Sequence, residues 1–232
     1  MKRQKVILLQ SAWKKGYVIF LKQFIRSVRD SFWSKRQMIY SIDLETIRAP
    51  DMCDIQGLSY RRISDWSELS EENYNFLKDI RETINWGDFS WLTEHEYGLW
   101  VAEVKGKLAA IEWWRFPEQS FDFFIKIPKN TDLHWQTTVF PEFRGQKLLE
   151  AVMLSLMKYR KSEGVEFYSG SCRDFNTTSR RVFVELGSLY LGYAETNKLT
   201  KKETWRPLET PIPAAELEAL PLLFRKTKLK QS

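Results

Sequence analysis

Glu112 and His134 are the side chains best placed by sequence to move a proton, each in or at the start of a strand-like run. A carboxylate or an imidazole can accept a proton from a bound substrate, and imidazole changes charge near neutral pH. Taken singly, an edge-face carboxylate and an exposed strand-end histidine remain the commoner fates. The chain also has the makings of an anion site. The turn Glu142-Phe143-Arg144-Gly145 opens a helical pattern just past a strand. The first amides of a helix lack intrahelical acceptors and carry the positive end of its dipole, so they hold anions.

Several elements must position these groups. Leu133 to Phe140 is β-branched and aromatic, reads as a strand, and ends at Pro141. Leu148, Leu149, Val152, Met153, Leu156, Met157 and Tyr159 then repeat at helical spacing up to Lys161, and Gly164 closes the helix. Val165 to Ser171 reads as a second strand. Asn176 or Thr177 can cap a further helix that ends at Gly187. Strand, helix, strand over this distance is a crossover unit, so the two strands are expected to lie parallel.

These residues carry a family resemblance. The segment V-F-P-E-F-R-G-Q-K-L-L resembles the acyl-CoA-binding signature of the GNAT superfamily of N-acyltransferases, R/Q-x-x-G-x-G/A after a Val-x-Pro strand end. The later N-T-T-S-R-R-V-F-V-E-L-G is similar to that superfamily's second landmark, an Asn-x-x-Ala/Ser before a helix ending in Leu-Gly. The resemblance implies an acyl-CoA co-substrate, acetyl-CoA or another, and no metal. It implies that a backbone amide around Thr138, Val139 and Phe140 polarises the acyl carbonyl. It implies a pyrophosphate cradle over Arg144, Gly145, Gln146, Lys147, Leu148 and Leu149. Asn176 and Ser179 would hydrogen-bond near the pantetheine or the phosphates, with Arg173, Asp174 and Arg180 close by. Two positions depart from the pattern. Lys147 and Leu149 stand where the family has small residues, and their side chains are expected to crowd the loop, although Lys147 could offset this by pairing with a phosphate. Phe183 stands where many members have the tyrosine that protonates the thiolate, which turns attention to Tyr190, Tyr193 and Cys172.

The composition is that of an ordinary globular chain. Of 232 residues, 43% are hydrophobic and 28% charged, enough for one domain with its own core. Two cysteines, Cys53 and Cys172, form no metal or redox spacing, so a reduced cytoplasmic setting is the simplest reading. Two histidines are too few for a histidine-rich metal site. The net charge of +6 is uneven: residues 1–40 hold ten Lys and Arg against the single acid Asp30, and the remainder is slightly acidic. A domain-wide nucleic-acid role is disfavoured by that split.

Residues 1–40 have neither the apolar core of a signal peptide nor the length of a membrane span. Tyr17 to Trp33 reads as an amphipathic helix, with Leu21, Phe24, Ile25, Val28 and Phe32 on one stripe and Lys22, Arg26 and Arg29 off it. That pattern suits either an anionic membrane surface, peripheral to the inner face, or a packing partner on this chain or another subunit. Lys35 to Arg48 reads as a strand leading to a linker. This opening resembles that of GNAT-type proteins associated with bacterial surface-polysaccharide biosynthesis.

Leu58 to Ile63 reads as a strand, Asp65 to Ile84 as helical segments, and Trp86 to Thr93 as an aromatic loop. Trp86, Phe89 and Trp91 could line an acceptor pocket or plug the core. Tyr97 to Val104 and Lys107 to Phe116 form a hairpin around Lys105-Gly106, with Trp113 and Trp114 on opposite faces, one toward helices and the other toward cleft or solvent. Phe121 to Ile127 reads as a short strand, and Tyr190 to Thr200 suits the last strands. Lys201 to Pro213 reads as an irregular connection, Ala214 to Leu223 as a helix, and Arg225 to Lys230 as a basic tail.

The expected fold is α+β and GNAT-like: a mixed, mostly antiparallel sheet with helices on both faces, preceded by the basic amphipathic arm. The expected divisions are 1–56, arm and linker; 57–204, acyltransferase domain; 205–232, a C-terminal extension. The expected function is transfer of an acyl group, acetyl or longer, from coenzyme A to an amine, with a sugar amine on a nucleotide- or lipid-linked intermediate as the specific acceptor. The alternative is a non-catalytic module of the same fold that binds a partner or a membrane.

Overall fold

The computed structural model describes residues 34–48, 54–81, 87–94, 97–116, 130–197 and 202–219, together with Leu21, Pro128 and Thr200. The expectations for the arm over Tyr17–Trp33 (Leu21 apart), for Trp86, for a strand over Phe121–Ile127 and for the basic tail lie outside the described residues. The strands are β1 (Ser34–Asp43), β2 (Leu58–Ile63), β3 (Tyr97–Val104), β4 (Lys107–Arg115), β5 (Thr131–Val139), β6 (Phe167–Arg173), β7 (Leu189–Asn197) and β8 (Glu203–Pro213). The helices are α1 (Glu71–Ile80), α2 (Ser90–Thr93), α3 (Leu148–Ser162), α4 (Thr177–Glu185) and α5 (Ala214–Ala219). One sheet holds all eight strands in the order β2-β3-β4-β5-β6-β1-β7-β8. Only β5 and β6 are parallel; the other neighbours are antiparallel. The mixed, mostly antiparallel sheet read from the sequence is what forms.

Helices cover both faces. On one, α3 and α4 pack on Tyr40, Trp114, Tyr168 and Tyr190. Val152, Leu156 and Met157 of α3 are completely buried there, each worth roughly 1.5–3 kcal/mol. On the other face, Leu77 of α1 and Leu92 of α2 pack on Leu99, Ile111 and Trp113. The two adjacent tryptophans point apart as strand geometry requires. Both are fully buried, so the expectation that one would face cleft or solvent is corrected. The absence of a side chain at Gly98 makes this possible: a Cβ there would stand 2.1 Å from Trp114 Cζ2.

Local signals land where they were read. Lys105 and Gly106 both take positive φ in the β3–β4 turn, Gly164 ends α3 at φ 88°, and the Asn176 side chain caps α4. Two long-range placements differ from the reading. β1 falls within residues 1–56, yet it is an interior strand between β6 and β7, with Ile39, Tyr40 and Ile42 buried. Lys201–Pro213 was expected to be irregular, but β8 crosses most of it and continues past residue 204. It pairs only with β7, and an edge strand tolerates Pro207 and Pro211 because its outer side needs no donors.

Candidate active site

β5 and β6 are paired from Thr131 opposite Phe167 to His134 opposite Gly170, and no further. Both strands run on, to Val139 and Arg173, so a wedge opens between their carboxyl halves. β5 remains paired with β4 along its other edge as far as Ala110 opposite Val139. Phe140 N–H donates to Ala109 O at 3.0 Å, toward β4. Successive strand amides alternate in direction, so Val139 and Thr137 turn theirs toward the wedge. Of the amides expected to polarise a carbonyl, that of Phe140 is therefore already engaged, and its ring is buried against Phe76. Thr138 faces the β4 ladder with its side chain buried.

Beyond the wedge, a turn of 3-10 helix over Pro141–Phe143 leads to Arg144, Gly145, Gln146 and Lys147, all exposed. Arg144 Nε donates to Val139 O at 3.1 Å, which ties the guanidinium to the rim. Lys147 adopts the left-handed conformation at φ 56°, ψ 21°, a backbone glycine enters without steric cost. The first α3 amide to reach an intrahelical acceptor is that of Ala151, bonding Lys147 O at 3.2 Å. Leu148 is buried and Leu149 half-buried against the core.

The structure brings Glu112 and His134 together. Glu112 Oε1 accepts from the Tyr168 hydroxyl at 2.5 Å and lies 3.2 Å from His134 Nδ1. Glu112 and Tyr168 are fully buried, while His134 keeps 11% of its side chain in contact with solvent. A carboxylate at Nδ1 fixes the proton there and leaves Nε2 with its lone pair. Burial first, and then the Glu112 carboxylate, push the Tyr168 hydroxyl well above its ordinary pKa, so it serves as a fixed donor. Gly170 makes room for the imidazole, since a Cβ there would meet His134 Cβ at 2.8 Å. A β-bulge completes the arrangement. Trp114 pairs with His134 and Trp113 with Gln136, so Trp135 is the additional residue. His134 and Thr137 then share the face of Glu112.

Other candidates lie elsewhere. Tyr190 is on β7, separated from β6 by β1, packed at 5.6 Å against Tyr40. Its hydroxyl is buried with no hydrogen-bond partner, and burial pushes its pKa up, which corrects its reading as the acid. Burial also pushes the Cys172 thiol up to about 12. Arg36 lies over the Tyr193 ring at 4.3 Å. Phe183 stacks on Tyr40 at 4.6 Å and meets the His134 ring edge-on at 5.9 Å. Asn176 and Ser179 bond each other at the start of α4, Nδ2 to Oγ at 2.7 Å, close to where β6 ends. Arg180 turns to Glu218, with Nε to Oε1 at 2.7 Å. Sequence reasoning missed Tyr168, Thr137 and Trp135. The bulge that sets the faces of Thr137 and Trp135 has no signature in the run Trp-Gln-Thr-Thr-Val. Among the described residues no group of three or more His, Cys, Asp or Glu is arranged to hold a metal, and no helix is long and apolar enough to cross a membrane.

No family model matches the chain, and no curated relative matches it. Solved structures are similar to it. One is a GNAT-family structure from Novosphingobium aromaticivorans, 15% identical over 70% of this chain and 62% of that one, with a TM-score of 0.48. Another is a GCN5-related N-acetyltransferase from Sphaerobacter thermophilus, 14% identical over 76% of this chain and 56% of that one, TM-score 0.49. A third is an aminoglycoside N-acetyltransferase in complex with CoA, 14% identical over 56% of this chain and 90% of that one, TM-score 0.41. The chain spans 56–62% of the length of the first two.

Proposed function

We propose that the chain transfers an acyl group, acetyl being the simplest, from coenzyme A to an amine in the wedge between β5 and β6. The observation that carries this reading is the parallel pair whose hydrogen bonding stops at His134 and Gly170. The stop leaves strand amides facing a slot that leads to an exposed turn and a helix start. An extended thioester arm can lie along the free edge of β5, with its phosphates at Arg144–Lys147. The N–H of Thr137 or Val139 then supports the oxyanion as the amine adds to the carbonyl. His134 Nε2 takes the proton from the amine nitrogen, and Glu112 stabilises the resulting imidazolium. The C–N bond forms and the C–S bond breaks. Coenzyme A leaves as a thiolate and takes its proton from solvent, consistent with Phe183 at the position where a tyrosine would serve.

For the acceptor, we favour a sugar amine on a nucleotide- or lipid-linked intermediate. Its support is the pair of half-buried rings Phe89 and Trp91 at α2, since flat rings stack on sugar faces. The test is a calorimetric titration with acetyl-CoA, followed by a thiol-release assay over a panel of amines. Micromolar binding, about −8 kcal/mol, is expected. Absence of binding up to millimolar concentration would overturn the reading.

A further inference from the structure

Arg115 ends β4 on the face opposite α3, and its guanidinium lies beside two aromatic rings that touch each other at 5.3 Å. Its Cζ is 5.2 Å from the centroid of Tyr97 and 5.4 Å from that of Trp135. Its Nε is buried without a hydrogen-bond partner, and no carboxylate reaches it among the described residues. Three other partly or wholly buried arginines of the domain have acids: Arg160 with Asp132, Arg180 with Glu218, Arg61 with Glu103. A half-buried cation with no counterion is costly to keep unless the rings, or a ligand, compensate it.

Its neighbour Trp135 is the additional residue of the β5 bulge and is 42% exposed, an unusual state for so large an apolar side chain. It follows directly on His134, the last β5 residue paired with β6, and so stands at the closed end of the wedge. Trp91 meets Trp135 edge-on at 6.4 Å and stacks on Tyr97 at 4.6 Å, so the shelf is built from three rings with the cation beside them. The turn at Arg144 is far off: from Trp135 to Val139 alone, the strand rises about 13 Å. Arg115 therefore does not serve the phosphates placed at that turn.

We propose that Arg115 and Trp135 form the acceptor subsite and select an amine that carries a carboxylate or phosphate group. The guanidinium takes the anionic group through its fork of donors, and the exposed indole takes the flat body of the acceptor. The proposal rests on the acyl-transfer reading for its name as an acceptor site, but the ligand chemistry is readable without turnover.

The experiment is calorimetric titration of the full chain with two matched pairs: glucosamine against glucosamine 6-phosphate, and tyramine against tyrosine. In at least one pair, the acidic member is expected to bind about tenfold tighter than its neutral twin, the scale of one charge-assisted contact. Arg115→Gln is expected to bring that ratio close to one, Arg115→Lys to keep part of it, and Trp135→Ala to weaken both members of the pair alike. Thermal melting of each variant checks that it folds; Trp135→Ala is at an exposed position and covers the case in which the Arg115 variants do not. Equal binding within both pairs, absence of binding by all four amines, or a preference that survives Arg115→Gln overturns the proposal. Titration of the same samples with acetyl-CoA separates the two ideas. Coenzyme binding without an acidic preference sinks the subsite alone, and an Arg115-dependent preference without coenzyme binding sinks the acyl-transfer reading alone.

Discussion

His134 Nδ1 lies 3.2 Å from Glu112 Oε1, joining an imidazole at the closed end of a wedge to a carboxylate that solvent does not reach. The two meet because the bulge at Trp135 keeps His134 and Thr137 on one face, although they are three residues apart. In a regular strand an odd separation places side chains on opposite faces. The same bulge turns Trp135 outward on the other side. A single inserted residue thus serves both the proton-accepting group and the proposed acceptor shelf.

Replacing His134 by Gln should lower kcat for acyl transfer by a factor on the order of 10² or more, the usual contribution of a general base. Acetyl-CoA affinity should stay within about twofold, because the replaced ring sits at the far end of the wedge from the Arg144 turn. Wild-type turnover in His134→Gln would remove His134 from the mechanism.

Tyr190→Phe separates a packing tyrosine from an acid. The hydroxyl is buried and bonds to nothing among the described residues, so its deletion should leave stability unchanged or raise it by about 1 kcal/mol. Turnover should be unaltered. A fall in kcat with an intact melting profile would restore Tyr190 as the proton donor.

At the rim, Arg144→Ala should weaken acetyl-CoA binding several-fold, a loss of about 1 kcal/mol for an exposed cation facing phosphate. Lys147→Gly tests the backbone and the charge together. Glycine relieves a left-handed conformation that costs roughly 1–2 kcal/mol for other residues, at the expense of a looser unfolded chain. Stability is therefore expected to move little, and a fall in coenzyme affinity means that the lysine charge contributes more than the closer backbone approach that glycine allows. Calorimetry and thermal melting together decide it.

Gly170→Ala should lower the melting temperature, since the new methyl meets His134 Cβ at 2.8 Å and Phe183 Cζ at 3.0 Å. Overpacking of that kind costs about 1–3 kcal/mol. The imidazole should also shift off Glu112, so turnover should fall more steeply than stability. A variant as active and as stable as the parent would show that the contact relaxes freely.

Two truncations distinguish the arm from the strand that follows it. Removal of residues 1–33 spares β1, and the protein should stay folded while losing salt-sensitive binding to anionic vesicles, the partner we propose for the basic, aromatic stripe. Removal of residues 1–43 takes out the strand between β6 and β7 and should abolish cooperative unfolding. Vesicle binding that persists without residues 1–33 would end the membrane proposal.

Much of the fold was legible in local signals. The apolar repeat of α3, the Asn176 cap, Gly164 beyond the helix end and the Lys105-Gly106 turn each act over a few residues, so they are written in neighbouring positions. The parallel pairing of β5 and β6 followed from the length of the connection between them. The Arg144–Lys147 turn was legible for the same reason, since a helix start after a strand end is a local event.

Placement across the sheet was not. Ile39 packs beside strands more than 120 residues later in the chain, and nothing within residues 34–43 names β6 and β7 as its neighbours. That insertion sets Tyr190 on a strand separated from β6 by β1, a placement that residue type and order along the chain do not show. The edge position of β8 likewise made its prolines tolerable. By itself the sequence determined the strand–helix–strand unit, the turn at its helix start and the residue types able to move a proton. Tertiary structure alone decided which of them meet. Strand order and bulge register are set by contacts between distant segments, and a one-residue shift in either moves a side chain to the opposite face.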